Sequence, residues 1–290
     1  MRYKAEEIKK EKLKKKKPKI TKEFVDKNFG RDKVRGRPIR LNRQTLKIKR
    51  NKDYAELIFW GDIHFGYPTC NIRKAKDMLE YALDKKVYIL LMGDLIEAGL
   101  KDSIGDSMYR QKLNPQRQME VMIKLLKPVA KEGLIIGLHM GNHEQRITKN
   151  TSIDISKLMA KFLEVPYLRY SCWSLLSVAG QRYALYSTHG SGGSRFKHTK
   201  LKAVMDIAAW INSDIIAFGH VHSIASEVII KQKFSRVANK IVNEQQYVCL
   251  TGSYMEWDDS YAQAANMPIT KLGSPKAKIF ADKRDVHFSF

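Results

Sequence analysis

Five short blocks constrain this chain more than anything else in it: Gly61-Asp62-Ile63-His64, Gly93-Asp94-Leu95-Ile96-Glu97, Gly141-Asn142-His143-Glu144, Thr188-His189-Gly190 and Gly219-His220-Val221-His222. Each stands at the end of an apolar, strand-like run. Residues 55–60 lead to Asp62, 87–92 to Asp94, 134–140 to Asn142, 182–187 to His189 and 214–218 to His220. In open α/β sheets, functional groups gather just beyond the carboxyl ends of strands. The blocks use five of the eight histidines, so what such ends would deliver here is metal-ligand chemistry.

The segments between the runs carry helical spacing. Residues 72–83 place apolar side chains at helical intervals, and Pro115, suited to a first turn, opens a helix to about Lys131. Further helices are predicted over 153–163 and 200–211. Strand, helix and strand alternating in this way read as parallel βαβ units, hence an α/β fold. Beyond residue 163 the texture turns strand-rich. Residues 173–178 and 182–187 read as a hairpin around Ala179-Gly180-Gln181, followed by strands at 214–218, 227–233 and 246–250 and a strand-like tail at 276–290. Residues 53–290 read as one domain.

Residues 1–52 read as a basic N-terminal arm. They hold 22 Lys/Arg against 6 Asp/Glu, which places +16 of the net +23 there. Residues 1–19 have the composition of a disordered or marginally helical tail. Phe24, Val25, Phe29 and Leu41 give part of residues 20–52 an apolar means of docking. Such a density of cations neutralises phosphates without regard to sequence, which points to nucleic acid as a partner. The bland reading is a solvated, solubilising tail. Arg35-Gly36-Arg37-Pro38 resembles the core of the AT-hook, an arm that lies in the A·T minor groove. Cys70, Cys172 and Cys249 are far apart in sequence, which fits a reducing cytosol rather than a disulfide framework. No apolar run approaches the roughly 20 residues of a membrane helix. The charged start has no apolar segment behind it, so the expectation is a cytoplasmic protein with no membrane association.

Asp oxygens, imidazole nitrogens and one Asn oxygen make a donor set suited to Mn²⁺, Fe, Zn²⁺ or Co. Two such ions about 3.5–4 Å apart form a clamp for phosphoryl chemistry and activate water as hydroxide. In order and spacing, the blocks DxH, GDxxE, GNHE, a lone His and GHxH are similar to those of the calcineurin-like metallophosphoesterases, repair exonucleases among them. The resemblance covers about residues 55–225. It implies a two-sheet α/β sandwich flanked by helices. It also implies two divalent ions, Mn²⁺ foremost, with Asp62, His64 and His222 on the first, Asn142, His189 and His220 on the second, and Asp94 bridging. His143 would be the general acid, Glu144 an orienting partner, and Glu97 a support rather than a ligand.

The substrate is less legible. Residues 191–200 follow His189 with small and basic side chains; Arg195, Lys197 and Lys200 would add charge, and Phe196 could stack a base. The bland reading there is a flexible loop with Phe196 as its anchor. Arg146 could meet a phosphate, and Tyr109 and Arg110 could contact substrate from the loop after Glu97. His139, inside an apolar run, reads as a satisfied core residue; His198 reads as facing solvent or substrate, and His287 as structural. The sequence favours a nuclease or nucleic-acid phosphodiesterase. The alternatives are a phosphatase or small-molecule phosphodiesterase whose arm only localises it, and a nucleic-acid-binding module with a structural metal site.

Overall fold

The structure, a computed structural model, describes residues 41–48, 52–101, 103 and 106–290. Among them, twelve strands make two six-stranded sheets. In the first sheet, β2 (Tyr54–Trp60), β3 (Tyr88–Leu91), β4 (Ile135–His139) and β5 (Tyr167–Arg169) run parallel. β11 (Lys276–Phe280) pairs antiparallel with β2, and β12 (Val286–Ser289) closes that edge. In the second sheet, β1 (Leu41–Leu46) runs parallel to β6 (Ser171–Val178), which forms a hairpin with β7 (Gln181–Thr188). β8 (Ile215–Phe218) lies parallel to β7 and to β10 (Lys240–Thr251), and β9 (Ile224–Ser235) pairs antiparallel with β10 at the far edge.

Alternation along β2 shows how the layers are fastened. Ala55, Leu57 and Phe59 point to one face and share a buried cluster with Leu176, Val178, Leu185, Ile215 and Cys249 of the second sheet. Ile58 and Trp60 point to the other face. There they meet Ala75 and Leu79 of α1 (Ile72–Lys85), Met122 and Leu126 of α3 (Pro115–Lys131) and Met159 of α5 (Ile155–Leu163). Burial on both faces explains why this run is almost continuously apolar rather than alternating. Each such side chain contributes roughly 1.5–3 kcal/mol when fully buried. The outer face of the second sheet is covered by α6 (Lys197–Trp210), through Val204 and Ala208 against Ile216, Phe218, Val248 and Leu250. The result is the two-sheet sandwich flanked by helices that the resemblance implied.

The predicted helix starts are set by side-chain caps. Asn71, Asn114 and Asp154 accept from the backbone N–H groups of Lys74, Arg117 and Lys157 at the starts of α1, α3 and α5. Two short helices, α2 (Ser107–Arg110) and α7 (Tyr261–Ala264), lie in loops. The third block opens a helix, α4 (Asn142–Thr151), which none of the helices expected from the sequence covers. Its sequence buries Glu144 and Ile147 alone, so no apolar stripe announces it. β1 lies in a stretch whose composition groups it with the basic arm. It holds its edge position partly through the amides of Asn42 and Gln44, which both donate to the Ile136 carbonyl of the opposite sheet. Residues 1–40, with Arg35-Gly36-Arg37-Pro38, lie outside the described residues.

Cys70, Cys172 and Cys249 are free thiols. His139 is fully buried, with Nε2 against Ser187 Oγ at 2.8 Å and Nδ1 against the Arg169 carbonyl at 3.1 Å. Burial pushes its pKa down to about 4, so it is neutral and structural. Among the described residues no helix is long and apolar enough to cross a membrane.

Candidate metal centre

The five blocks meet. Asp62, Asp94 and Asn142 follow the carboxyl ends of β2, β3 and β4, while His189 and His220 follow those of β7 and β8. Hydrogen bonds across the two sheets draw these ends together. The His220 N–H donates to the Asp62 carboxylate at 3.1 Å, and His189 Nδ1 donates to the Met92 carbonyl at 2.9 Å. Asp62, His64, Asp94, His220 and His222 all have left-handed backbones, with φ of 50°, 52°, 47°, 68° and 49°. Such a conformation costs about 1–3 kcal/mol for each non-glycine residue and persists only where its surroundings enforce it. All five stand just beyond β2, β3 and β8, and outliers of this kind recur at functional sites.

Two glycines make the approach feasible. A Cβ at Gly141 would lie 2.1 Å from both the backbone N and Oδ1 of Asp94. Gly93, at φ 91°, lets the chain turn beneath His189. Glu144 then ties the loops. Its Oε1 accepts from the N–H groups of Leu95 and Ile96, and its Oε2 from those of Asp94 and Gly141. This buried carboxylate is thus a bracket between the second and third blocks.

Three overlapping groups of donor atoms result: Asp62, His64 and His222; His64, Asp94 and His143; Asp94, His189 and His220. Each set lies within 4.8 Å and is suited to hold a metal ion. The hydrogen-bond partners fix which ring atoms are free. His64 Nδ1 is 3.0 Å from Glu97 Oε2, an acceptor, so its Nε2 carries a lone pair, and that atom faces His222 Nε2 at 3.0 Å. The Nδ1–H of His189 is used on Met92, so its Nε2 lone pair faces Asn142 Oδ1 at 2.9 Å and Asp94 Oδ2 at 3.3 Å. Asn142 Oδ1 also lies 2.8 Å from His220 Nδ1. Asp94 Oδ2 is buried with no hydrogen-bond partner. Lone pairs converging on lone pairs, around an orphaned carboxylate oxygen, need cations among them. The donor set and its geometry therefore fit divalent metal ions.

Burial would lower the His189 imidazole, but the Asp94 and Asp62 carboxylates push its pKa up to about 10, so a metal ion at its Nε2 would replace a proton. Burial alone would raise the Asp94 carboxyl, but His189 and His143 hold it well below the ordinary carboxylate range. Burial opposes charge on Glu97 too, yet its bonds to His143 and His64 keep it low. Glu144 is pushed up to about 7 by burial and by the charge of Asp94. His143 donates Nδ1–H to the Glu97 carbonyl at 2.8 Å, leaving Nε2 beside Arg146 Nη2 at 3.0 Å and 3.9 Å from Asp94 Oδ2. At 13 % side-chain exposure it is open to the cleft more than His64 or Asp94.

The remaining expected residues fall in different places. Arg146 adjoins His143 and Glu97. Lys200 is buried and bonded to Ser223 Oγ, next to His222. Arg195 and Lys197 are exposed, and Phe196, 63 % exposed, stacks on His198 rather than anchoring the loop. Tyr109 is 85 % exposed, while Arg110 is engaged by Asp259 and Asp106. Sequence reasoning missed residues 253–261. Ser253 Oγ and the Tyr254 N–H hold the Asp62 carbonyl, and Tyr261 Oη meets His222 Nδ1 at 2.9 Å. The chain from 251 to 275 lacks any hydrophobic period that would have placed it there.

The chain matches no family model and no curated protein. Among solved structures it is similar to Thermotoga maritima protein TM1076, at 14% identity over 81% of this chain and 97% of that one, with a TM-score of 0.34. It is also similar to Vacuolar Protein Sorting 29 from Cryptosporidium parvum, at 12% identity over 82% and 98% of the two chains, TM-score 0.36. A third likeness is to Vps29 complexed with Zn²⁺ from Entamoeba histolytica, at 12% identity over 81% and 97%, TM-score 0.32.

Proposed function

We propose that this chain is a metallophosphoesterase of the calcineurin-like kind, hydrolysing phosphodiester bonds in nucleic acid with two divalent ions, Mn²⁺ foremost. One observation carries the reading: donor atoms from all five blocks surround Asp94, whose Oδ2 is buried without a hydrogen bond and lies 3.3 Å from His189 Nε2 and 3.9 Å from His64 Nε2. The order of the motifs along the chain supports it independently. Asp62, His64 and His222 would hold one ion, Asn142, His189 and His220 the other, with Asp94 shared. Bound there, such ions supply Lewis acidity and charge neutralisation for phosphoryl transfer.

The protein's own groups have separate tasks. Glu97 and Met92 fix the imidazole tautomers of His64 and His189, leaving Nε2 of each for coordination. His143, its Nδ1–H spent on the Glu97 carbonyl, presents Nε2 as the atom that gives a proton to the leaving oxygen. Burial and the Arg146 guanidinium lower its pKa, but Asp94 and Glu97 outweigh them and raise it, which favours the protonated form that this role needs. Arg146 places a guanidinium beside it, suited to a phosphate oxygen. The basic arm of residues 1–52 adds sequence-independent attraction for a phosphate backbone.

The test is Mn²⁺-dependent hydrolysis of labelled single- and double-stranded DNA and RNA beside bis(p-nitrophenyl) phosphate, with Asp94→Asn as the blank. Polynucleotide cleavage that vanishes in the blank is expected. Turnover of the small ester alone would reduce the arm to an address. Tight binding with no turnover under any metal would leave a binding module.

A further inference from the structure

Beside the cluster lies a cavity of about 410 Å³ whose wall includes His220 and His222. Its volume falls within the range of about 300–1,000 Å³ usual for small-molecule sites. Its lining mixes two kinds of chemistry. Lys200 comes from the first turn of α6, with Gly192, Gly193 and Ser194 leading up to it. Lys200 is only 7 % exposed, donates to Ser223 Oγ at 3.1 Å, and pairs with no carboxylate among the described residues. A buried ammonium whose partner is a neutral hydroxyl is costly unless an anion joins it, and burial accordingly lowers its pKa.

Apolar side chains share that lining. They include Trp257, Met255 and Met267, and Trp257 Nε1–H donates to the Met267 carbonyl at 2.7 Å, which fixes the indole. An anchored indole and a buried ammonium lining one cavity are the pairing that receives a base and its phosphate. Glu256 and Asp258 stand on the exposed rim. A phosphodiester backbone continuing past them would meet like charge, so the cavity suits an end rather than the middle of a strand.

We infer that this cavity receives the terminal nucleotide of the substrate, with the base against Trp257 and a second phosphate, distinct from the one at the metal ligands, on Lys200. The inference rests on the phosphoesterase reading and adds to it that the chain acts at strand ends. The full chain with Mn²⁺ is titrated calorimetrically with thymidine 3′,5′-bisphosphate, thymidine 5′-monophosphate and inorganic phosphate. The bisphosphate binds about tenfold more tightly than the monophosphate, the scale of one charge-assisted hydrogen bond, and the monophosphate more tightly than phosphate. Lys200→Gln closes the first gap and Trp257→Ala the second. Equal affinity of the unmodified chain for the two nucleotides overturns the inference whether or not the variants fold. So does a Lys200→Gln protein that keeps the gap. Because binding alone is read, failure of the phosphoesterase reading would appear separately, as lack of bis(p-nitrophenyl) phosphate hydrolysis in the same buffer.

Discussion

The two sides of the candidate site are built in opposite ways. The ligand side comes from strand ends: Asp62, Asp94 and Asn142 on the first sheet and His189, His220 and His222 on the second, with five of these blocks' residues in left-handed backbone and Glu144 bracketing two loops. The cavity side comes from loops and short helices, with Met255, Trp257 and Tyr261 from a stretch that has no strand beyond an isolated bridge. The first is over-determined by hydrogen bonds and packing, so changes there should cost metal, turnover or stability according to the group removed. The second is held by a few bonds such as Trp257 to Met267, so a change there should alter what binds while the fold stands. On the proposed function, chemistry falls on the strand ends and selection on the connections.

The largest effect expected is on the ligand side. Asp94→Asn removes the carboxylate shared by two of the donor groups, and activity should fall to background, beyond about 10⁴-fold. Elemental analysis should show the loss of bound metal in the same protein. His143→Ala should keep its metal and lose about 10²–10⁴-fold in turnover, the scale of general-acid catalysis. Metal loss equal to that of Asp94→Asn would make His143 a ligand instead.

Gly141→Ala tests the claim of over-determination. Its Cβ would meet Asp94 backbone and carboxylate at 2.1 Å, so the loop must move. A destabilisation of about 1–3 kcal/mol is expected in a denaturant melt. An unchanged midpoint would show that the strand ends are looser than drawn. Tyr261→Phe, on the connecting side, removes the hydroxyl at His222 Nδ1 and should weaken metal affinity about tenfold with no change in melting. Smallest of all is Phe196→Ala: exposed and stacked only on His198, it should change stability by less than about 0.5 kcal/mol.

The same division governs what could be read from sequence. Most of the ligand side was legible because β2, β3, β4 and β8 are nearly continuous buried apolar runs, each announcing the residue that follows it; β7 alternates, and its hairpin pattern announces His189. The layered architecture followed from that rhythm together with the motif order. α4 was not legible, since NHEQRITKNT carries Ile147 as its one buried apolar side chain and the helix is secured by Glu144 instead. β1 was hidden in a basic, polar stretch, LNRQTL, and is held by parallel pairing with β6 and amide bonds to Ile136. Lys200 read, with Arg195 and Lys197, as a cation adding charge after His189, and nothing in the sequence set it apart as the buried one. Its burial depends on Ser223 and on the course of residues 255–272, which no local pattern reveals.

Electron paramagnetic resonance of the chain titrated with Mn²⁺ tests the central claim most directly, that two donor groups sharing Asp94 form one two-metal centre. The account predicts saturation at two ions per chain with an exchange-coupled spectrum, lost in Asp94→Asn. Saturation at one ion, or two ions giving only the uncoupled six-line signal, would contradict it.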